Sequence, residues 1–502
     1  MRAISLVKRI EFAFQGNVAR NALTLGDVDN DGFNELIVGN HNGDVNIFKG
    51  TKKLQTISKL NFVTCVAVAD IMNQDKNVLI IITANGWCYL YAYPENNQSD
   101  NSQKDVDEGV EEVDGQIQSA TTVDNKESLP PPEVHVENSK KDLQDPQLVC
   151  IHMQRIPANS KNIVLGDIDG DGNIEMVLGL TDRVVRSYKW IGNPDTSTLD
   201  ITDSSLQFNP SDKLLGKFVA LNKWECANQI GSITIHHTAE GKPSILIAQP
   251  GGTFMRIKCQ TDDLASEECV ESSIHSSSSS STGEHISGTV DYQFLGMSRM
   301  RNQNISTEIL GDLHCSIHDS GVSFDKSSID SQRSANSSKG KPYALATLDG
   351  TIILVQDEVI LWAIAVDHQI FALTKLDVTG NGSDDIVACS WDGETYIMDL
   401  EKNSVRFHLD EAVQAFHSGY YHLHDDEPDS PCLVYVTFKN TIIVYYDLAL
   451  RELTCRKFEP DLVKLSELFA DKERSPEEAL EHVRTLDRKS KRELVECLLY
   501  GL

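Results

Sequence analysis

Catalytic signatures are missing from this chain. It has no Gly-rich phosphate loop, no nucleophile elbow and no HExxH pair, so three common routes to phosphoryl, acyl and hydrolytic chemistry are not written in it. Its histidines are dispersed. His236-His237 sit on one apolar strand and His368 precedes another, as hydrogen-bonded strand residues do more often than catalysts. Positive charge is scarce: 45 Lys and Arg face 75 Asp and Glu, a net charge of −30, which argues against a nucleic-acid partner and against direct docking on an anionic membrane. No apolar run is long enough to span a bilayer, and the opening MRAISLVKRIEFAFQGN has no signal-peptide core. The 11 cysteines are odd in number, form no CxxC pair and include Cys65, Cys88, Cys389 and Cys432 within apolar strands, where a thiol behaves as a small hydrophobe. The expectation is a non-enzymatic protein in a reduced, cytoplasmic setting.

What the chain does have is one unit repeated seven times. Its middle strands read ELIVG (35–39), VLIIIT (78–83), EMVLG (175–179), SILIAQ (244–249), YALAT (343–347), DIVAC (385–389) and CLVYVTF (432–438). Each runs into a hairpin, with turn glycines at Gly43, Gly86, Gly252, Gly350 and Gly393; two neighbouring pairs are 43 residues apart, the period of a propeller blade. A four-stranded blade cannot bury both faces alone, whereas radial stacking hides them between neighbours. The fold class is therefore all-β, a seven-bladed β-propeller over 1–459, with approximate blades 1–50, 51–94, 147–191, 192–260, 306–357, 358–400 and 401–449. Ser5–Phe14 either pairs with the last blade or starts the first.

Three stretches interrupt the period: the acidic 95–146, the Ser-rich 261–305 and the polar 316–340. None carries enough apolar surface to offset its ordering entropy, so all three are expected to be disordered insertions. After the last blade, 460–502 changes to helical spacing. Ser475-Pro476-Glu477-Glu478 reads as a helix start, followed by an Ala479, Leu480, Val483, Leu486 stripe. These helices either pack on the propeller's own edge or dock a partner subunit.

Three units carry an acidic loop between their first two strands. Asp27, Asp29 and Asp31 precede Glu35; Asp167, Asp169 and Asp171 precede Glu175; Asp377, Thr379 and Asn381 precede Asp385. Oxygens at loop positions 1, 3, 5 and 9, with the backbone carbonyl of position 7 (Phe33, Asn173, Ser383), can wrap a hard cation such as Ca²⁺. The third loop is degenerate for lack of two charges. An EF-hand is excluded, because position 12 is Val38, Leu178 and Ala388 and the flanks are strands. Two readings stand: a structural calcium loop, or a turn closed by its own side-chain hydrogen bonds.

Acidic loops in register between the strands of a repeating blade resemble the FG-GAP repeats of the integrin alpha propeller. Glu at position 9 in two loops departs from that family's usual Asp. The segments LGDVDNDGFNELIVG (25–39), DIDGDGNIEMVLGLTDRVVRSYKW (167–190), VDHQIFALTKLDVTGNG (366–382) and SPCLVYVTF (430–438) resemble the FG-GAP-repeat family of KICSTOR complex subunits. The resemblance implies a scaffold subunit on the lysosomal surface, paired with kaptin and other KICSTOR subunits. It also implies a role in positioning GATOR so that amino-acid shortage restrains mTOR signalling. The alternative is a calcium-binding FG-GAP propeller acting as a lectin or adhesion module.

Overall fold

A computed structural model describes residues 1–94, 147–193, 215–259, 288–294, 304–316, 340–423 and 428–448, with short pieces at 450, 452–454 and within 481–493. The expected insertion 95–146, most of 261–305 and of 316–340, and nearly all of the 460–502 extension lie outside the described residues.

Seven antiparallel sheets follow one another along the chain. Their innermost strands are Leu23–Gly26, Val63–Ala69, Ser160–Gly166, Ile233–His237, Thr307–Leu310, Ile370–Leu376 and Val413–Tyr421. From each, the chain meanders outward through two buried strands to an exposed outer one. The apolar runs recognised in the sequence are the second strands. They are buried on both faces because each face meets a different neighbouring blade. Leu79 and Ile81 of Val78–Thr83 pack toward blade one, while Ile80 and Ile82 pack toward blade three. Buried apolar clusters join every consecutive pair of blades, including seven with one. The hydrophobic core is thus a ring of interfaces between blades.

The blade limits read from the sequence need correcting at their outer strands. Lys52–Ile57 pairs with Val45–Lys49 and completes blade one. In the same way Val149–Arg155 completes blade two, Gly216–Glu225 blade three, Val359–Ala365 blade five and Ser404–His408 blade six. Each outer strand continues antiparallel from the third strand of its own sheet, so a cut after the third strand assigns it one blade late. Blade four is completed by Gly288–Phe294 against Thr253–Cys259, so that part of 261–305 is a strand rather than an insertion.

The chain's opening closes the ring. Arg9–Ala13 adds to Thr441–Tyr445 as the outer strand of blade seven, which settles the role of Ser5–Phe14. Arg2–Ile4 adds in parallel to the edge of blade six.

Candidate functional site

The three acidic loops join the first and second strands of blades one, three and six, and they share one hydrogen-bond skeleton. The first aspartate accepts the N–H five residues on: Asp27 from Gly32 at 2.9 Å, Asp167 from Gly172 at 2.8 Å and Asp377 from Gly382 at 2.8 Å. That sixth residue has a φ of 90°, 84° and 79° respectively, which is why it is glycine. The acid at position 9 folds back under the loop, where Glu35, Glu175 and Asp385 accept the position-2 N–H of Val28, Ile168 and Val378 at 3.0, 3.2 and 3.1 Å. Position 2 is an apolar plug, buried in all three loops. The position-7 N–H groups of Phe33, Asn173 and Ser383 go to the side chains of Asp31, Asp171 and Asn381.

The loops also fasten blade to blade. Asn30 exchanges two hydrogen bonds with the Asn77 backbone of blade two, and Asn77 donates to Asp27 O at 3.0 Å. Asn34 binds Asp429 and Tyr420 of blade seven while Phe33 stacks on His422 at 3.9 Å. The second loop takes Asn73 of blade two through the Ile174 N–H, and the third takes His314 and Ser316 of blade five.

Carboxylate oxygens of Asp27, Asp29 and Glu35 converge, as do those of Asp167, Asp169, Asp171 and Glu175. Each cluster already contains a cation that the sequence reading missed. Lys49 Nζ lies 2.6 Å from Asp29 Oδ2 and 3.0 Å from Glu35 Oε1, and it also binds Asp31. Lys189 Nζ binds Asp171 and lies 3.3 Å from Glu175 Oε1. Lys189 pairs directly with Glu175 across the strands, and Lys49 lies one rung beyond the Leu36–Phe48 pair, at the level of Glu35. Burial alone would lower the Lys49 pKa, but the surrounding carboxylates outweigh it and hold the pKa above the ordinary lysine value. Burial pushes Glu35 and Glu175 up to about 7 against the pull of the position-2 N–H and the lysine. In the third loop, burial raises Asp385 to about 7 with no lysine to oppose it. Its cross-strand place falls to Asp399, whose oxygens are taken by Glu401 and Asn403 in their own turn. The signal was legible: each lysine follows its glutamate by 14 residues.

Two further position-1 acids also escaped the sequence reading. Asp70 of blade two accepts the Asp75 N–H at 2.7 Å, the same five-residue reach, over a buried Ile71. Asp312 of blade five follows the same glycine–aspartate start over a buried Leu313, but turns to the preceding blade. It binds His237 through backbone and ring, with His236 Nδ1 3.3 Å away. The paired histidines are therefore an inter-blade clasp.

All seven innermost strands line a central channel of about 530 Å³. Its charges are tied to the wall. Arg20 Nη1 reaches across the ring from the segment before blade one to Glu308 of blade five at 2.7 Å, lying over the rings of Phe371 and Trp391 on the way. Lys375 Nζ donates to the Asp312 carbonyl, and behind the lining Lys161 Nζ donates to that of Ile230. Among the described residues, eight cysteines are free, and Cys65, Cys88, Cys389 and Cys432 are buried.

An FG-GAP repeat profile matches residues 19–53, which cover the first three strands of blade one with its acidic loop. The KICSTOR complex protein ITFG2 of Mus musculus is 33% identical over 457 residues, covering 90% of this chain and 87% of that protein. The same-named protein of Bos taurus is 32% identical over 459 residues, covering 90% and 73%. Among solved structures, BBS1N in complex with ARL6DN aligns over 90% of this chain and 100% of that one at 13% identity and a TM-score of 0.49. The profile of integrin-alpha FG-GAP repeat-containing protein 2 matches residues 48–450, from the third strand of blade one past the last strand Thr441–Tyr445 of blade seven, and the chain belongs to that family.

Proposed function

We propose that this chain is a non-enzymatic scaffold subunit of a KICSTOR-type complex. It pairs with kaptin and the other subunits, helps to position GATOR on the lysosomal surface, and so restrains mTOR signalling when amino acids are short. In this reading the protein is cytoplasmic and reaches the lysosome through its partners. The observation that carries the proposal is similarity to two KICSTOR complex proteins at 33% and 32% identity along 90% of the chain. The physical form supports it. Apolar clusters between every pair of consecutive blades give a stiff disc whose outer strands present fixed surfaces, and binding to such a body sacrifices little conformational freedom. The mechanism is then assembly through buried area, with no bond made or broken.

Affinity purification of the chain expressed at endogenous level tests this. Kaptin and GATOR subunits are expected in the eluate, and loss of the chain should leave mTOR signalling high during amino-acid starvation. A chain recovered without either partner, or one that binds glycans, would overturn the assignment.

A further inference from the structure

We infer that blades one and three carry their own cation: the ammonium groups of Lys49 and Lys189 stand where the FG-GAP pattern places a divalent metal, so these two loops are built to hold without calcium.

The oxygen set is the first argument. A calcium ion in the first loop would need Asp29 and Glu35, whose oxygens lie 2.6 and 3.0 Å from Lys49 Nζ. In the third blade it would need Asp171 and Glu175, both ion-paired to Lys189. A calcium ion about 2.3–2.6 Å from these oxygens would share them with the ammonium and meet it as a like charge, so lysine and metal compete for the same carboxylates. Asp31 is drawn onto Lys49 and is absent from the convergent group of its loop.

Blade two supplies the second argument, because its loop keeps the skeleton with the acids removed. Positions 3, 5 and 9 are Met72, Gln74 and Val78, yet Asp70 makes the same five-residue hydrogen bond and Asp75 takes the positive φ of 57°. The turn therefore forms without any ligand set.

The third argument is the company the lysine keeps. It appears across from position 9 where that residue is glutamate. One rung beyond the Leu79–Tyr91 pair, Val78 is matched by Ala92, and one rung beyond Ile386–Met398, Asp385 is matched by Asp399; neither offers a lysine. The longer glutamate arm, the departure from the usual FG-GAP aspartate, goes with a lysine that neutralises it.

The test uses the full chain, dialysed against EGTA and then titrated with calcium chloride, reading the unfolding midpoint and the bound calcium by mass spectrometry. Wild type is expected to show one midpoint in EGTA and in millimolar calcium. Lys49→Met and Lys189→Met, which open the acidic cluster, are expected to gain calcium-dependent stabilisation. Asp377→Asn separates out the lysine-free loop of blade six: a wild-type calcium response that vanishes in this variant belongs to that loop and leaves the inference standing. A response that persists with Asp377→Asn, carried by about two calcium ions per chain, would overturn it. So would lysine variants that fold and remain indifferent to calcium.

Discussion

Ring closure rests on the strand Arg9–Ala13, and Phe12 is where its contribution can be measured. Phe12 is 9% exposed, points into the cluster shared by blades seven and one, and meets the ring of Phe48 at 4.5 Å. Phe→Ala in a packed core costs about 3–5 kcal/mol; a position on an outer strand relaxes more readily, so Phe12→Ala is expected to cost about 3 kcal/mol. At about 1.4 kcal/mol per tenfold, that is about two decades in the opening equilibrium of the strand. Hydrogen exchange on the full chain resolves where the loss falls. Amides of Thr441–Tyr445, which pair with the strand, and of Val45–Lys49, which pack on Phe12, should exchange about a hundredfold faster, while Ile245–Gln249 on the far side should not change. Glu11→Ala, on the exposed face of the same strand, is the control and should fall within about 0.5 kcal/mol of wild type. Uniform acceleration in all blades, or no acceleration next to Phe12, would refute closure by this strand.

Three other perturbations test separate parts of the fold. Arg20→Ala strands the buried Glu308 carboxylate and should cost about 2 kcal/mol, below the usual figure for a buried pair because the arginine side chain is 37% exposed; Glu308→Gln should cost less, and a double-mutant cycle by urea unfolding should show the two coupled. Gly393→Ala places a Cβ 2.2 Å from the Leu409 carbonyl oxygen at a φ of 93°, whereas Gly32→Ala at 90° has nothing within 4 Å; thermal unfolding should show the first costing well over the ~1–2 kcal/mol of left-handed strain expected for the second. His417 lines the channel, and desolvation lowers its pKa from 6.5 to about 4. Between those values the unfolded chain holds the extra proton, so stability falls as pH drops from 6.5 to 4; His417→Asn should remove about 2 kcal/mol of that loss in urea titrations at the two pH values, after discounting for the half-buried ring.

The blades were legible in the sequence because their second strands are buried on both faces and read as unbroken apolar runs. The outer strands were not. Lys52–Ile57 is KKLQTI, exposed along most of its length, and carries no pattern that assigns it to the sheet before or after. Arg9–Ala13 alternates clearly, but its partner lies more than 400 residues away, and local periodicity carries no information about such a pairing. The acidic loop positions were legible from their spacing alone. Lys49 and Lys189 stand one strand beyond the loop, and their shared 14-residue spacing from the glutamates acquires meaning only through the cross-strand register that brings them under it. Asp70 and Asp312 lack the neighbouring acids that made the other loops conspicuous; what they share with them is a single aspartate over a buried aliphatic residue.

The arrangement of blade seven has a consequence for synthesis. A nascent chain emerges with Arg9–Ala13 first and must hold that segment unpaired until Thr441–Tyr445 leaves the ribosome. During all of that time Leu36, Val38 and Phe48 lack their final cover from blade seven, so translation exposes a sticky apolar flank from the first blade to the last. Chaperone occupancy on ribosomes should therefore persist from the emergence of blade one and fall once the final hairpin of blade seven is out.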